Sequence, residues 1–170
     1  MDAARAASCN TPAMRPKILV VDDDPITREL FRNLLKDVEA DVIEARDGPE
    51  ALALVHRHFF ALVLLDIGMP VVSGHEVAAL LRKNPHTRAL PIVFITATAP
   101  ADGDTAGDAL GAADLLLTKP VEPDLLRALC CTLLRLYTAK QDAEAEVQFM
   151  RAEIRELRAR IAELSPVDRT

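Results

Sequence analysis

Apolar residues gather in short, unalternating runs along the first two thirds of the chain. Three runs are strong: Ile18-Leu19-Val20-Val21, Leu62-Val63-Leu64-Leu65 and Ile92-Val93-Phe94-Ile95. Runs this short, rich in branched side chains and free of polar interruption, read as strands buried on both faces of a parallel sheet. Two weaker runs, Val42-Ile43 and Leu115-Leu116-Leu117, complete a set of five. Between them the spacing becomes helical. Ile26, Leu30, Phe31, Leu34 and Leu35 share one face of a helix predicted over Pro25 to Lys36, with Asp24 placed to cap it and Pro25 at its first position. Pro49 to His56 and Gly74 to Leu81 follow the same logic, whereas Asp102 to Leu110, with Gly103 and Gly107 inside it, predicts a poor and least rigid helix.

Five alternations of strand and helix predict an α/β fold, doubly wound, with right-handed crossovers covering both faces of the sheet. Five strands of this type commonly take the order 2-1-3-4-5, and ligands then bind at the carboxyl edge where the order reverses, between the first and third strands.

Beyond Pro123 the pattern is helical throughout, with no Gly or Pro before Pro166. Leu126, Leu129, Leu133, Leu136, Lys140, Ala143, Val147, Met150, Ile154, Leu157, Ile161 and Leu164 alternate by threes and fours, a heptad frame weakened at Lys140 and Ala143. A helix of about 40 residues would be ~60 Å long, and its distal half needs a partner other than its own domain. Val147, Ile154 and Ile161 at a, with Met150, Leu157 and Leu164 at d, favour two parallel strands. Glu146 and Glu153 at g would pair with Arg151 and Arg158 at e of a second copy. A single solvated helix, or one folded back on its own domain, is the other reading. The expected division is a flexible tail over 1–15, a globular domain over 16–136, a coiled-coil extension over 137–165 and a flexible end over 166–170.

Composition narrows the functions. Half of the 170 residues are apolar and 27% are charged, which is globular. A formal net charge of -6 gives no electrostatic case for nucleic acid or anionic lipid. Arg151, Arg155, Arg158 and Arg160 are interleaved with Glu153, Glu156 and Glu163, as on the flank of a coiled coil, so no direct nucleic-acid binding is expected. Cys9, Cys130 and Cys131 make no disulfide framework and suit a reducing compartment. No apolar run approaches the roughly 18 residues of a membrane span, and Met1 to Pro16 lacks the apolar core of a secretory signal, so the expected location is cytoplasmic. His56, His58, His75 and His86 lack zinc-like spacing and are expected at the surface, and Ser73 has no nucleophile-elbow context.

The chemistry lies at the carboxyl ends of the predicted strands. The first ends in Asp22-Asp23-Asp24, the third in Asp66, the fourth in Thr96 and the fifth in Thr118-Lys119-Pro120. Any one of these alone is more often a turn, a helix cap or a solvated loop residue. Together, in the order 2-1-3-4-5, they bring Asp22, Asp23 and Asp66 toward one cleft. Three carboxylates cannot share a small site without a cation, and a sparse oxygen-only donor set completed by water suits Mg²⁺ better than Ca²⁺. A carboxylate already ionised needs no general base to act as nucleophile, and Lys119 and Thr96 would stabilise charge on a transferring phosphoryl group.

Those segments carry a family resemblance. Ile18 to Pro25, the stretch Leu64-Leu-Asp-Ile-Gly-Met-Pro70 with Gly74, Ile95-Thr-Ala97 and Thr118-Lys-Pro120 resemble the receiver domain of bacterial two-component response regulators over about residues 16–136. The resemblance implies a flavodoxin-like fold. It implies Asp66 as phosphoacceptor, Mg²⁺ on Asp22, Asp23, Asp66 and the backbone carbonyl of Gly68, Thr96 as switch hydroxyl, and Lys119 on the phosphoryl oxygens. Small Ala97 would leave room for the group, and the Lys119–Pro120 bond would be cis. Two departures stand out. The place three residues before the lysine, often aromatic in the family, is Leu116, so no aromatic ring can switch rotamer there. The segment from Gly111 to Lys119 is one residue longer than usual, to be absorbed by a loop residue or a bulge.

The resemblance implies a phosphorylation switch rather than an enzyme acting on other molecules: it would catalyse only its own phosphoryl transfer and dephosphorylation. Its phosphodonor would be a sensor histidine kinase or a phosphotransfer protein, and its tail would make it a homodimer. The alternatives keep the receiver but make it the input of a longer enzyme such as a diguanylate cyclase, or a stand-alone adaptor.

Overall fold

The structure, a computed structural model, describes residues 15–97 and 111–164, with side chains through residue 161. The helix expected over Asp102 to Leu110 and the two expected flexible ends, apart from Arg15, lie outside the described residues. Five strands, β1 (Lys17–Val21), β2 (Asp41–Ala45), β3 (Leu62–Asp66), β4 (Ile92–Thr96) and β5 (Leu115–Thr118), pair in parallel in the order β2-β1-β3-β4-β5. The helices are α1 (Pro25–Leu34), α2 (Gly48–Arg57), α3 (Gly74–Lys83) and α4 (Pro123–Leu164). The doubly wound fold and the strand order are therefore as the apolar runs predict, and the flavodoxin-like architecture is as the resemblance implies.

The two-residue period of the strands divides the core into two layers. Leu19, Val21, Val63, Leu65, Ile92 and Phe94 face α2 and α3, where Ala51, Val77, Ala78 and Leu81 meet them. Ile18, Val20, Leu62, Leu64, Val93 and Ile95 face α1 and α4, where Phe31, Leu35, Leu126, Cys130 and Leu134 meet them. Because both faces are covered, β3 is buried along its whole length, which is why its sequence does not alternate.

Local chemistry starts each helix where expected. The Asp24 carboxylate accepts hydrogen bonds from the amides of Ile26 and Thr27 and so caps α1. Asp47 caps α2 through the Glu50 amide, and Ser73 and Glu76 form a reciprocal capping box on α3. Strand β5 pairs with β4 in unbroken register from Leu115 to Thr118, so the extra residue before Lys119 does not bulge the strand.

The heptad frame needs one correction. Leu126, at its start, is fully buried against the sheet, while Leu136 is 63% exposed. Near the sheet the helix buries Leu126, Cys130 and Leu134, with Tyr137 packed against both core layers. That stripe is rotated from the heptad seam, so the proximal heptad positions serve the domain core first. From Ala139 to Ile161 every side chain is exposed, including Val147, Met150, Ile154 and Leu157 at 41–50%. No helix among the described residues is long and apolar enough to cross a membrane.

Candidate functional site

Parallel pairing brings the functional strand ends level. Val21 lies opposite Leu65, Asp66 opposite Ile95 and Thr96 opposite Thr118, so Asp22, Asp66, Thr96 and Lys119 all emerge at one sheet edge. Main-chain bonds hold that edge: Asp22 N donates to Ala45 O at 3.2 Å, Ile67 N to Ile95 O at 3.1 Å and Lys119 N to Thr96 O at 2.8 Å. The Lys119–Pro120 peptide bond is cis, as the resemblance implies.

Lys119 Nζ donates to Asp22 Oδ2 and to Asp66 Oδ1, both at 2.9 Å. Asp22 is 2% exposed and Asp66 is 7% exposed, so these are buried charges. Asp22 Oδ1 also accepts from Asp24 N at 2.9 Å. One ammonium shared between two acids does not offset the loss of water around Asp22. Burial pushes that carboxyl above its ordinary 3.8, against the lowering effect of the Lys119 hydrogen bond. Burial opposes charge on Lys119 too, but the hydrogen bonds it donates to Asp22 and Asp66 outweigh that and raise its pKa above 10.5.

Two glycines shape the wall. A Cβ on Gly74 would stand 2.2 Å from the Asp66 carbonyl oxygen, so only glycine lets the start of α3 pack against the main chain of Asp66. A Cβ on Gly68 would lie 3.3 Å from Asp66 Oδ2, which places this glycine at the mouth of the pocket. Val71, in the same loop, has φ 69°, and its side chain is 97% exposed.

The predicted site residues are brought together unequally. Asp22, Asp66 and Lys119 are in direct contact, and Thr96 and Gly68 border them. Asp23 stays exposed, and among the described residues no three His, Cys, Asp or Glu side chains are close enough to hold a metal ion. The donor chemistry nevertheless fits Mg²⁺: the groups are all oxygen, and two buried acids share one ammonium, a net negative pocket.

Arg28 and the amide of Asp24 are contacts the sequence reading missed. Arg28 Nη1 donates to the carbonyl oxygens of Asp22 at 2.8 Å and Asp23 at 3.2 Å. A basic residue one turn inside the helix that follows the acidic triplet is the only signal that could have suggested it. The discounted histidines are less uniform than expected: His56 and His86 are exposed, but His75 is half-buried with its ring edge-to-face on Phe94 at 4.9 Å. Cys130 is buried and its thiol is pushed up to about 12, an inert core residue.

Comparison with known proteins agrees with this geometry. The family described as response regulator receiver domain matches residues 18–130. Response regulator Rre1 of Synechocystis sp. is 35% identical over 157 residues, which is 90% of this chain and 68% of that protein, so the similarity runs on into α4. The polar-differentiation response regulator DivK of Brucella ovis is 33% identical over 108 residues, 64% of this chain and 87% of its own. Among solved structures, the response regulator TrrA of Thermotoga maritima in complex with Mg²⁺ and BeF superposes with a TM-score of 0.62 at 35% identity, covering 69% of this chain and 98% of that one. The chemotaxis protein CheY4 of Vibrio cholerae gives a TM-score of 0.61 at 33% identity, covering 68% and 96%. Fold, site geometry and relatives agree: this chain belongs to the response regulator receiver family of two-component signalling.

Proposed function

We propose that the chain is a phosphorylation switch in which Asp66 takes a phosphoryl group and the long helix carries the change of state to a second copy. The observation that supports this best is the buried Asp66 carboxylate held 2.9 Å from Lys119 beside a second buried acid. The Asp66 oxygen attacks the phosphorus of a phosphohistidine on a sensor histidine kinase or phosphotransfer protein. The P–N bond breaks, its electron pair stays with the imidazole, and an acyl phosphate forms. Lys119 pairs with the phosphoryl oxygens, and the Thr96 hydroxyl donates to one of them. Asp22, Asp23, Asp66 and the Gly68 carbonyl are the oxygens that would hold Mg²⁺, whose charge would offset that of the phosphoryl group. Later attack by water on phosphorus regenerates the Asp66 carboxylate and inorganic phosphate. A relative, TrrA, is described with Mg²⁺ and BeF, which supports the same chemistry here.

The domain reading assigns 16–136 to the receiver and 137–165 to a parallel homodimeric coiled coil. The exposed stripe of Val147, Met150, Ile154, Leu157 and Ile161 and the charge order Glu146, Arg151, Glu153, Arg158 support it. The test is incubation with acetyl phosphate, with and without Mg²⁺, followed by intact-mass measurement. A single added phosphoryl group that requires Mg²⁺ and is absent from Asp66→Asn is the expected result. Undiminished modification of Asp66→Asn would overturn the assignment.

A further inference from the structure

We infer that Arg28 is a positioning residue for this site: it fastens the main chain of Asp22 and Asp23, and thereby sets where both carboxylates stand relative to Asp66. This rests on the phosphoacceptor reading above. The turn from β1 into α1 leaves the carbonyls of residues 22 and 23 outside both the sheet ladder and the helix ladder. Arg28 takes both with one nitrogen, at 2.8 and 3.2 Å. A main-chain acceptor left without a donor near a buried carboxylate would let that turn reorient.

The guanidinium is itself fixed. Its side chain is only 17% exposed, and Nε lies 3.6 Å from Glu44 Oε2 on β2. The other Glu44 oxygen lies 3.6 Å from Arg32, one turn further along α1. A guanidinium is planar, so engaging Nε with Glu44 decides the direction in which Nη1 projects, toward the loop. The remaining bonds of Asp22 come from β2, from Asp24 and from Lys119. Among the described residues Asp23 has no such set of anchors, and its carbonyl bond to Arg28 is the tie that orients it. Arg28 touches neither carboxylate, so it acts through the backbone. A lysine has no plane, so contact with Glu44 would not fix the direction of its other donors toward the carbonyls.

The test compares the full-length wild type with Arg28→Met, Arg28→Lys and Glu44→Gln in three measurements. These are Mg²⁺ binding by calorimetry without phosphodonor, hydrogen–deuterium exchange of segment 22–24, and the Mg²⁺ dependence of acetyl phosphate labelling. In Arg28→Met the Mg²⁺ dissociation constant and the half-saturating Mg²⁺ should both rise about tenfold, in line with removal of a group that orients metal ligands. The maximal labelling rate should change little, and exchange of segment 22–24 should speed up even in the absence of Mg²⁺. Arg28→Lys should fall between, and Glu44→Gln should shift the same way by less. A merely structural role would lower the melting temperature and leave Mg²⁺ affinity unmoved, so a folded Arg28→Met with wild-type affinity overturns the inference. If Arg28→Met does not fold, unchanged affinity in both Arg28→Lys and Glu44→Gln overturns it instead. A wild type that takes no phosphoryl group at Asp66 overturns the underlying site reading, and the inference falls with it.

Discussion

Asp22 carries a cost that its neighbours do not remove, because a carboxylate 2% exposed shares the ammonium of Lys119 with Asp66. Its folded pKa lies above the ordinary 3.8. With that sign the folded state binds the proton more tightly than the unfolded chain. The associated stability is present below 3.8 and is lost as pH rises through the folded value. Asp22→Asn should therefore be more stable than the wild type at pH 7, by about 1 kcal/mol in urea denaturation without Mg²⁺. The gap should close on acidification below the folded value, where the wild-type carboxyl is protonated. An equal gap at both pH values would refute this. Backbone chemistry sets two further outcomes. Val71 is a β-branched residue at φ 69°, so Val71→Gly should raise stability by about 1 kcal/mol as read from the denaturation midpoint. Gly74→Ala should lower it by about 2 kcal/mol and depress labelling of Asp66, since the new Cβ meets the Asp66 carbonyl oxygen at 2.2 Å.

At the scale of elements, α4 carries two apolar stripes. Leu126, Cys130 and Leu134 bury against the sheet, and the apolar residues from Val147 to Ile161 stay exposed. If the proposed coiled coil forms, Ile154→Asp should abolish dimerisation in analytical ultracentrifugation at micromolar concentration, while leaving labelling of Asp66 by acetyl phosphate intact. A dimer that survives the substitution would argue against the seam. Between the stripes, Lys140 and Ala143 make a weak layer, a charge at a and a small side chain at d. Phosphorylation should therefore change inter-protomer distances near Lys140 more than near Ile161. Spin labels at both positions, with and without beryllofluoride, measure this, and equal distributions at both would refute it.

For the whole molecule, the end of packing matters most. Tyr137 touches both core layers, and every described side chain from Ala139 onward is exposed. Core stability should thus be complete within the first part of α4. A chain ended after residue 144 should unfold cooperatively within a few degrees of the 170-residue chain under dilute, monomeric conditions, because no buried contact among the described residues is lost. A molten or unfolded truncation would show that the distal helix contributes to the fold itself.

Much of this was legible in the sequence alone. Buried parallel strands must be apolar on both faces, so the five runs, their order and the residues that terminate them followed from periodicity and topology. Asp22, Asp66 and Lys119 were readable because each ends or follows a strand, where a polar residue interrupts an apolar run. The caps at Asp24 and Ser73 were local chemistry. Other features depended on distance in space. Arg28 bonds to main-chain carbonyls, which every residue has, so no side-chain pattern marks its partners. Asp23 looks equivalent to Asp22 in sequence, yet where the strand ends Asp22 is buried and Asp23 exposed. The rotation of the buried stripe of α4 away from its heptad seam was likewise decided by packing. Leucines at both sets of positions are equally apolar, and only the position of the sheet determines which of them leave water.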